Sequence, residues 1–241
     1  MLPRGVFTLH YTLYSFEDSL HMRCCTLEGT DKLFSSQADR YARKFRKKGL
    51  DRAQRAIMRV LEQRGLRGRS VLEVGCGVGG LILSLLRKGG SSGFGIEISQ
   101  GMIAKARELA GEFGMSVRTT YLRGDFATLE GEVPIADIVV LDKVLCCYPD
   151  PDVLIERSSA RAAIYYAVSY PRDAVMARSY FTATERLGTM LKWSFHPFYH
   201  KPRDLDELIF RQGWEEMDAE TTPMRQVKVF RRRNGRGRTS Q

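Results

Sequence analysis

The chain has 241 residues, 43% of them hydrophobic, and a formal net charge of +10. That length and apolar content suit one sizeable core; no apolar run approaches the ~18 residues that a membrane span needs, and the first 30 residues show no basic, apolar and small-residue leader. Five cysteines, Cys24, Cys25, Cys76, Cys146 and Cys147, are an odd number containing two adjacent pairs, which suits reduced thiols rather than a disulfide framework, so a cytoplasmic protein is expected.

Residues 1–30 alternate apolar positions such as Phe7, Leu9, Tyr11 and Leu13, and read as an N-terminal extension of unassigned role in which Met22 could be an internal start. From Asp31 onward, Phe34, Ala38, Tyr41 and Phe45 fall at helical spacing, and Ala53, Ala56, Ile57, Val60 and Leu61 repeat the pattern. Two helices packed on the sheet are predicted. Between Arg40 and Arg69 there are twelve Lys or Arg against two acids, Asp51 and Glu62, and the segment 231–241 adds five arginines as a basic disordered tail. The rest of the chain is net acidic, so the basicity is local. Arg40, Lys44, Lys48, Arg52, Arg55 and Arg59 would line one face if a single helix ran through Gly49. That face is either simply solvated or contacts an anionic partner, such as acidic lipid or RNA.

The most informative run is Val71-Leu-Glu-Val-Gly-Cys-Gly-Val-Gly-Gly80, a short apolar strand opening into glycines and then an apolar helix. Gly75, Gly77 and Gly79 let the backbone turn sharply and approach a ligand without a Cβ in the way. Gly75, Gly77 and Gly80 also satisfy the dinucleotide fingerprint, so the glycines alone leave a nicotinamide or flavin cofactor open beside S-adenosylmethionine. Glu73 discriminates: a carboxylate is unfavourable beside a pyrophosphate but compatible with an ammonium and a sulfonium.

A second strand ends in Gly95-Ile-Glu97-Ile98, followed by an N-cap serine, Ser99, and a helix from about Gln100 to Phe113. Glu97 there can accept both ribose hydroxyls, as an acid at this spacing would in a dehydrogenase too. With an acid-x-Gly-x-Gly-x-Gly loop at Glu73, Gly75, Gly77 and Gly79, the chain resembles the class I S-adenosylmethionine-dependent methyltransferases. The resemblance implies that Asp125, in Gly124-Asp125-Phe126, meets the adenine amino group beside an apolar wall. The candidate cofactor set is therefore Glu73, Gly75, Cys76, Gly77, Gly79, Glu97, Ile98, Gly124, Asp125, Phe126 and Asp142, with S-adenosyl-L-methionine as the cofactor and no metal.

Strand runs near 71–75, 93–97, 118–123, 136–142, 162–170, 214–220 and 226–231 alternate with helical stretches, which argues for βαβ units. The last two leave no room for a crossover helix and should form an antiparallel hairpin. The expected fold is α/β: a Rossmann-like, seven-stranded, mostly parallel sheet with helices on both faces and a C-terminal antiparallel β-hairpin. The resemblance further implies that the seventh strand lies between the fifth and sixth, with a methyltransferase domain spanning 31–230.

The fourth strand exits through Asp142-Lys-Val-Leu-Cys-Cys-Tyr148-Pro-Asp150, with no Asn-Pro-Pro-Tyr or Pro-Cys element of the kind that nucleobase enzymes use. Leu145 to Asp150 resembles the corresponding turn of quinone-biosynthesis and magnesium-protoporphyrin methyltransferases, with Cys147 where a histidine often stands; Phe34 to Phe45 resembles their N-terminal helix. Cys146 and Cys147 read as pocket wall. Residues 171–202 hold Tyr180, Phe181, Trp193, Phe195, Phe198 and Tyr199, together with His196 and His200, and suit an aromatic lid over a planar acceptor. No catalytic residue is assigned; Asp142, Tyr148 and His196 are the candidates. The predicted activity is methyl transfer to a small, aromatic or amphipathic acceptor, the alternative being an RNA or protein methyltransferase that uses the basic stripe and Arg-rich tail.

Overall fold

In the computed structural model, residues 27–129, 133–148, 150–191, 193, 195 and 197–233 are described. Met22, Cys24, Cys25, His196 and the tail beyond 233 lie outside the described residues. The chain opens with α1 (Leu27–Lys48) and α2 (Arg52–Arg64), then alternates β1 (Val71–Val74), α3 (Gly80–Arg87), β2 (Gly93–Glu97), α4 (Gln100–Glu112), β3 (Thr119–Arg123) and β4 (Ala136–Asp142). It continues through α5 (Asp152–Ala160), β5 (Ala162–Pro171), α6 (Val175–Met190), α7 (Pro202–Arg211), β6 (Trp214–Thr221) and β7 (Arg225–Arg232).

The seven strands form one sheet in the order β3-β2-β1-β4-β5-β7-β6. The first five are parallel, and β7 enters antiparallel between β5 and β6. This is the expected Rossmann-like sheet with its closing hairpin. All four residues of β1 are buried, as a central strand covered on both faces requires. On one face Val71, Ile138, Val140, Ala167 and Val229 pack with Ile57 and Leu61 of α2 and Leu81 and Leu85 of α3. On the other, Leu72, Val139, Leu141 and Phe230 meet Leu154 of α5 and Leu205 and Ile209 of α7.

Three expectations change in detail. Gly49 has φ +64 and ends α1, so no single helix carries the basic stripe across it. Asp51 then caps α2, accepting from the Gln54 amide while the Gln54 side chain accepts from the Asp51 amide. Such a cap contributes ~1 kcal/mol and fixes the corner. The Arg-rich tail starts later than 231, because Arg231 and Arg232 continue β7 opposite Glu215 and Trp214. Half of the aromatic stretch 171–202 is one helix, α6.

Candidate functional site

Strand order reverses between β1 and β4, which run side by side while their successors leave in opposite directions. In an open parallel sheet the crevice forms there, beyond the strands' carboxyl ends. A cavity occupies that place, lined by Glu73 to Val78, Ile96 to Ile98, Gly124, Phe126 and the β4 exit Asp142 to Val144, with Cys147 and Tyr148. Its roof is α1 and the corner after it, through Thr30, Phe34, Tyr41, Lys44, Phe45, Gly49, Asp51 and Gln54.

The glycine loop has two structural tasks. Gly75 (φ +67) touches the β4 exit so closely that a Cβ would meet Val144 Cγ2 at 2.4 Å, whereas a Cβ at Gly77 (φ +54) would meet nothing within 4 Å, so this backbone faces open space. Gly79 serves packing instead: its Cβ would strike the Tyr121 hydroxyl at 2.6 Å, and it does not line the cavity.

The carboxylates are held differently. Glu97 accepts the Gly77 amide at 2.9 Å and the Ser99 amide at 3.0 Å, one on each oxygen, which ties the glycine loop to the end of β2. Burial nevertheless raises its pKa, and each oxygen keeps a second acceptor site. Glu73 is 2% exposed, lines the cavity, and its Oε2 has no hydrogen-bond partner. Burial, followed by the nearby Asp142 charge, raises its pKa well above the usual carboxylate range. A buried acceptor without a donor costs ~1–3 kcal/mol. A ligand bringing an ammonium group would relieve that cost, so the residues present fit an amino-acid-bearing cofactor at this end.

Asp125 does not line the cavity, although its neighbours Gly124 and Phe126 do. Its Oδ1 accepts the Tyr148 hydroxyl at 2.5 Å and the Ala127 amide at 3.0 Å, which fastens the β3 exit to the β4 exit. Asp142 does line the cavity, but Ser169 donates to one carboxylate oxygen and Lys143 Nζ to the other at 2.8 Å. Tyr148 likewise lines it with its hydroxyl committed to Asp125; burial, then the Asp125 charge, raises its pKa far above the ordinary tyrosine value. Cys76 and Ile98 contribute apolar wall.

Several residues of the site have no distinguishing mark in the sequence. Lys143 adopts φ +65, a left-handed conformation rare outside glycine, and bridges Asp142 to Asp51. Burial works against its charge, but Asp142 and Asp51 outweigh it and raise the pKa. Asp31 and Ser35 of α1 cover the start of α4: the Gln100 amide donates to Asp31 at 2.9 Å and the Gly101 amide to Ser35 Oγ at 2.9 Å. Asp51-x-x-Gln54 is a readable capping pattern that would have marked the corner.

No described residue of 171–202 lines the cavity. The stretch supports it from outside: Phe195 packs edge-on against Phe34 at 5.3 Å, the Phe198 amide donates to the Cys146 carbonyl at 2.8 Å, and His200 Nε2 lies 2.8 Å from the Tyr148 carbonyl oxygen.

Residues 71–161, which carry the glycine loop, Glu97 and the β4 exit, match the family model described as a methyltransferase domain. Over that span the chain is similar to the methyltransferase-domain family, and the sheet built around it has the fold of the class I S-adenosylmethionine-dependent methyltransferases. The domain is 34% identical over 83 residues to the sterol 24-C-methyltransferase of Saccharomyces cerevisiae, covering 34% of this chain and 22% of that protein. It is 31% identical over 86 residues to the ubiquinone biosynthesis O-methyltransferase of Methylococcus capsulatus, covering 36% of this chain and 35% of that one. The alignments thus span about a fifth to a third of these relatives' lengths. Among solved structures, the magnesium protoporphyrin IX methyltransferase of Synechocystis with bound S-adenosylhomocysteine superposes with a TM-score of 0.66 at 20% identity, over 84% of this chain and 98% of that one. An O-methyltransferase family protein of Burkholderia thailandensis superposes with a TM-score of 0.68 at 13% identity, over 92% and 68%. Both are likenesses of fold.

Proposed function

We propose that the protein is an S-adenosylmethionine-dependent methyltransferase acting on a small, aromatic or amphipathic acceptor. The observation that carries this reading is the unpartnered Glu73 Oε2 in the wall of a cavity that also holds the open Gly77 backbone and Glu97. Glu73 would take the cofactor's ammonium directly or through water, and Glu97 its ribose hydroxyls. Gly124 and Phe126 would border the adenine, and Asp125 would act by holding Tyr148 in the wall. When bound, the cofactor supplies a methyl group activated by its sulfonium.

The remaining cavity wall, from Tyr41, Lys44 and Phe45 to Asp142, Lys143 and Tyr148, would receive the acceptor. Aromatic and aliphatic surface there suits a planar or amphipathic molecule, and the Lys143 ammonium gives it a polar end. Asp142 and Tyr148 already have hydrogen-bond partners, so their role in this reading is to shape and orient. Holding the acceptor in line and excluding water can supply much of the rate when the leaving group is already good. The names of the sterol, ubiquinone and protoporphyrin enzymes are in keeping with such an acceptor.

The test is a transfer assay with methyl-labelled cofactor against separate small-molecule, RNA and protein fractions of a cell extract. Label should enter the small-molecule fraction. Label confined to RNA or protein would overturn the acceptor class, and no transfer to any fraction would count against an enzyme.

A further inference from the structure

The turn Leu145–Cys147 between β4 and α5 carries two adjacent cysteines for which the proposed methyl transfer has no use. Both are free thiols, and each Sγ lies 3.4 Å from the Lys143 carbonyl oxygen, so the two sulfurs converge on one acceptor. Cys147 lines the cavity and Cys146 is buried directly behind it. Arg225, at the start of β7, faces Cys146 with its Nη1 buried and without a hydrogen-bond partner. The neighbouring Cys147 thiol, aided by this cation, holds the Cys146 thiol below its usual range against the effect of burial. Cys147 is pushed the other way by its Cys146 neighbour and by burial. One sulfur is thus prepared as a nucleophile, with a second thiol beside it.

We propose that Cys146 and Cys147 form a two-thiol binding site for a soft trivalent centre carrying one organic substituent, the chemistry of a monosubstituted arsenical. A disulfide would require the sulfurs to close to about 2.05 Å across a single peptide unit. A soft centre bonded to each sulfur at about 2.3 Å instead holds them well apart on one side of the turn. Among the described residues no group of three or more His, Cys, Asp and Glu could hold a metal ion. A fully protein-ligated centre therefore lacks donors here, whereas one that brings its own third substituent needs only two. With phenylarsine oxide the arsenic–oxygen bond breaks, two arsenic–sulfur bonds form, and both thiol protons leave with the oxygen as water; nothing is oxidised. Since Cys147 lines the cavity, the substituent occupies the end beside Lys143, Val144 and Tyr148. It would exclude an acceptor only if the function proposed above holds.

The experiment uses the full chain with Cys24→Ser and Cys25→Ser, which removes the other adjacent pair. One equivalent of phenylarsine oxide should add one phenylarsenic unit with loss of two hydrogens by intact mass, mapped to the peptide containing residues 146 and 147. Ethanedithiol should reverse it, and an equal thiol concentration of 2-mercaptoethanol should not. Cys146→Ala and Cys147→Ala should each weaken capture about a hundredfold, because the second bond would no longer be intramolecular. Should either variant fail to fold, the dithiol against monothiol reversal on the parent protein still decides. No adduct, an adduct at one sulfur only, or release by the monothiol would overturn the proposal. Calorimetry with S-adenosylhomocysteine on the same sample separates the two readings: binding without arsenical capture defeats the thiol site alone, and capture without binding defeats the cofactor assignment alone.

Discussion

Glu73 can carry its charge only at a cost, because it is buried, Asp142 is close, and one of its oxygens has no donor. Its pKa is raised in the folded state, so the fold binds more protons than the unfolded chain and the group's linkage contribution falls as pH rises above its ordinary value of 4.5. Glu73→Gln should therefore raise the melting temperature of the ligand-free protein at neutral pH while weakening S-adenosylhomocysteine binding, as thermal unfolding with and without ligand would show. Unchanged ligand stabilisation would remove Glu73 from the site. At Glu97, substitution by alanine should cost roughly 1.5–3 kcal/mol of binding, about ten- to hundredfold in Kd, because a charge-assisted bond to the ligand and the tether to the Gly77 amide are lost together. Both acids could be singled out in the sequence because Glu97 ends a recognisable strand and Glu73 stands two residues before the first glycine of the loop. The left-handed turn at Lys143 was not, since the φ of a lysine leaves no trace in composition or spacing.

At the scale of elements, α1 is fitted to the sheet by small residues beneath it. A Cβ on Gly80 would meet the Phe45 ring at 2.7 Å, and one on Gly101 would meet Ser35 at 2.8 Å, so this helix roofs the cavity in close contact with α3 and α4. Helical spacing predicted α1, but its place across the cavity depends on partners far away in the chain: Arg123 and the Gln100 amide on Asp31, and Glu108 and Glu112 on Arg46. The aromatic stretch 171–202 shows the opposite failure. Its composition suggested a lid over the acceptor, but α6 leaves Met176, Tyr180, Leu187 and Met190 exposed, and among the described residues the stretch meets the site's surroundings through Phe195, Phe198 and His200 beyond the end of that helix. Phe195→Ala, which removes the edge contact on Phe34, should lower acceptor turnover several-fold with little change in cofactor affinity. Trp193→Ala, at a side chain 40% exposed, should leave stability nearly unchanged. Steady-state kinetics and thermal unfolding beside calorimetry read both, and equal loss of cofactor affinity in Phe195→Ala would make the contact a support of α1 rather than of the acceptor end.

Across the whole molecule, the sheet was readable because strand runs alternate with helical stretches, and the final hairpin because no helix fits between Thr221 and Arg225. The distribution of charge was readable, but its pairing was not. Arg46, Arg59 and Arg64 are drawn into ion pairs with Glu108 and Glu112, Glu220 and Asp218, while Arg40, Lys44, Lys47 and Arg52 stay exposed around the α1–α2 corner. No helix among the described residues is long and apolar enough to cross a membrane. If the corner contacts an anionic surface, reversing the charges of Arg40, Lys44 and Arg52 should abolish binding to acidic vesicles or RNA, and wild-type binding should fall steeply with salt. Absence of binding to either at low salt would leave the corner as solvated surface.

Titration calorimetry decides whether the cavity at the β1–β4 switch point holds S-adenosylmethionine. One equivalent of S-adenosylhomocysteine should bind to the full chain, NAD and NADP should show no comparable heat, and Glu97→Ala should weaken the interaction about ten- to hundredfold. Binding of NAD with equal affinity, or S-adenosylhomocysteine binding that Glu97→Ala leaves intact, would contradict it.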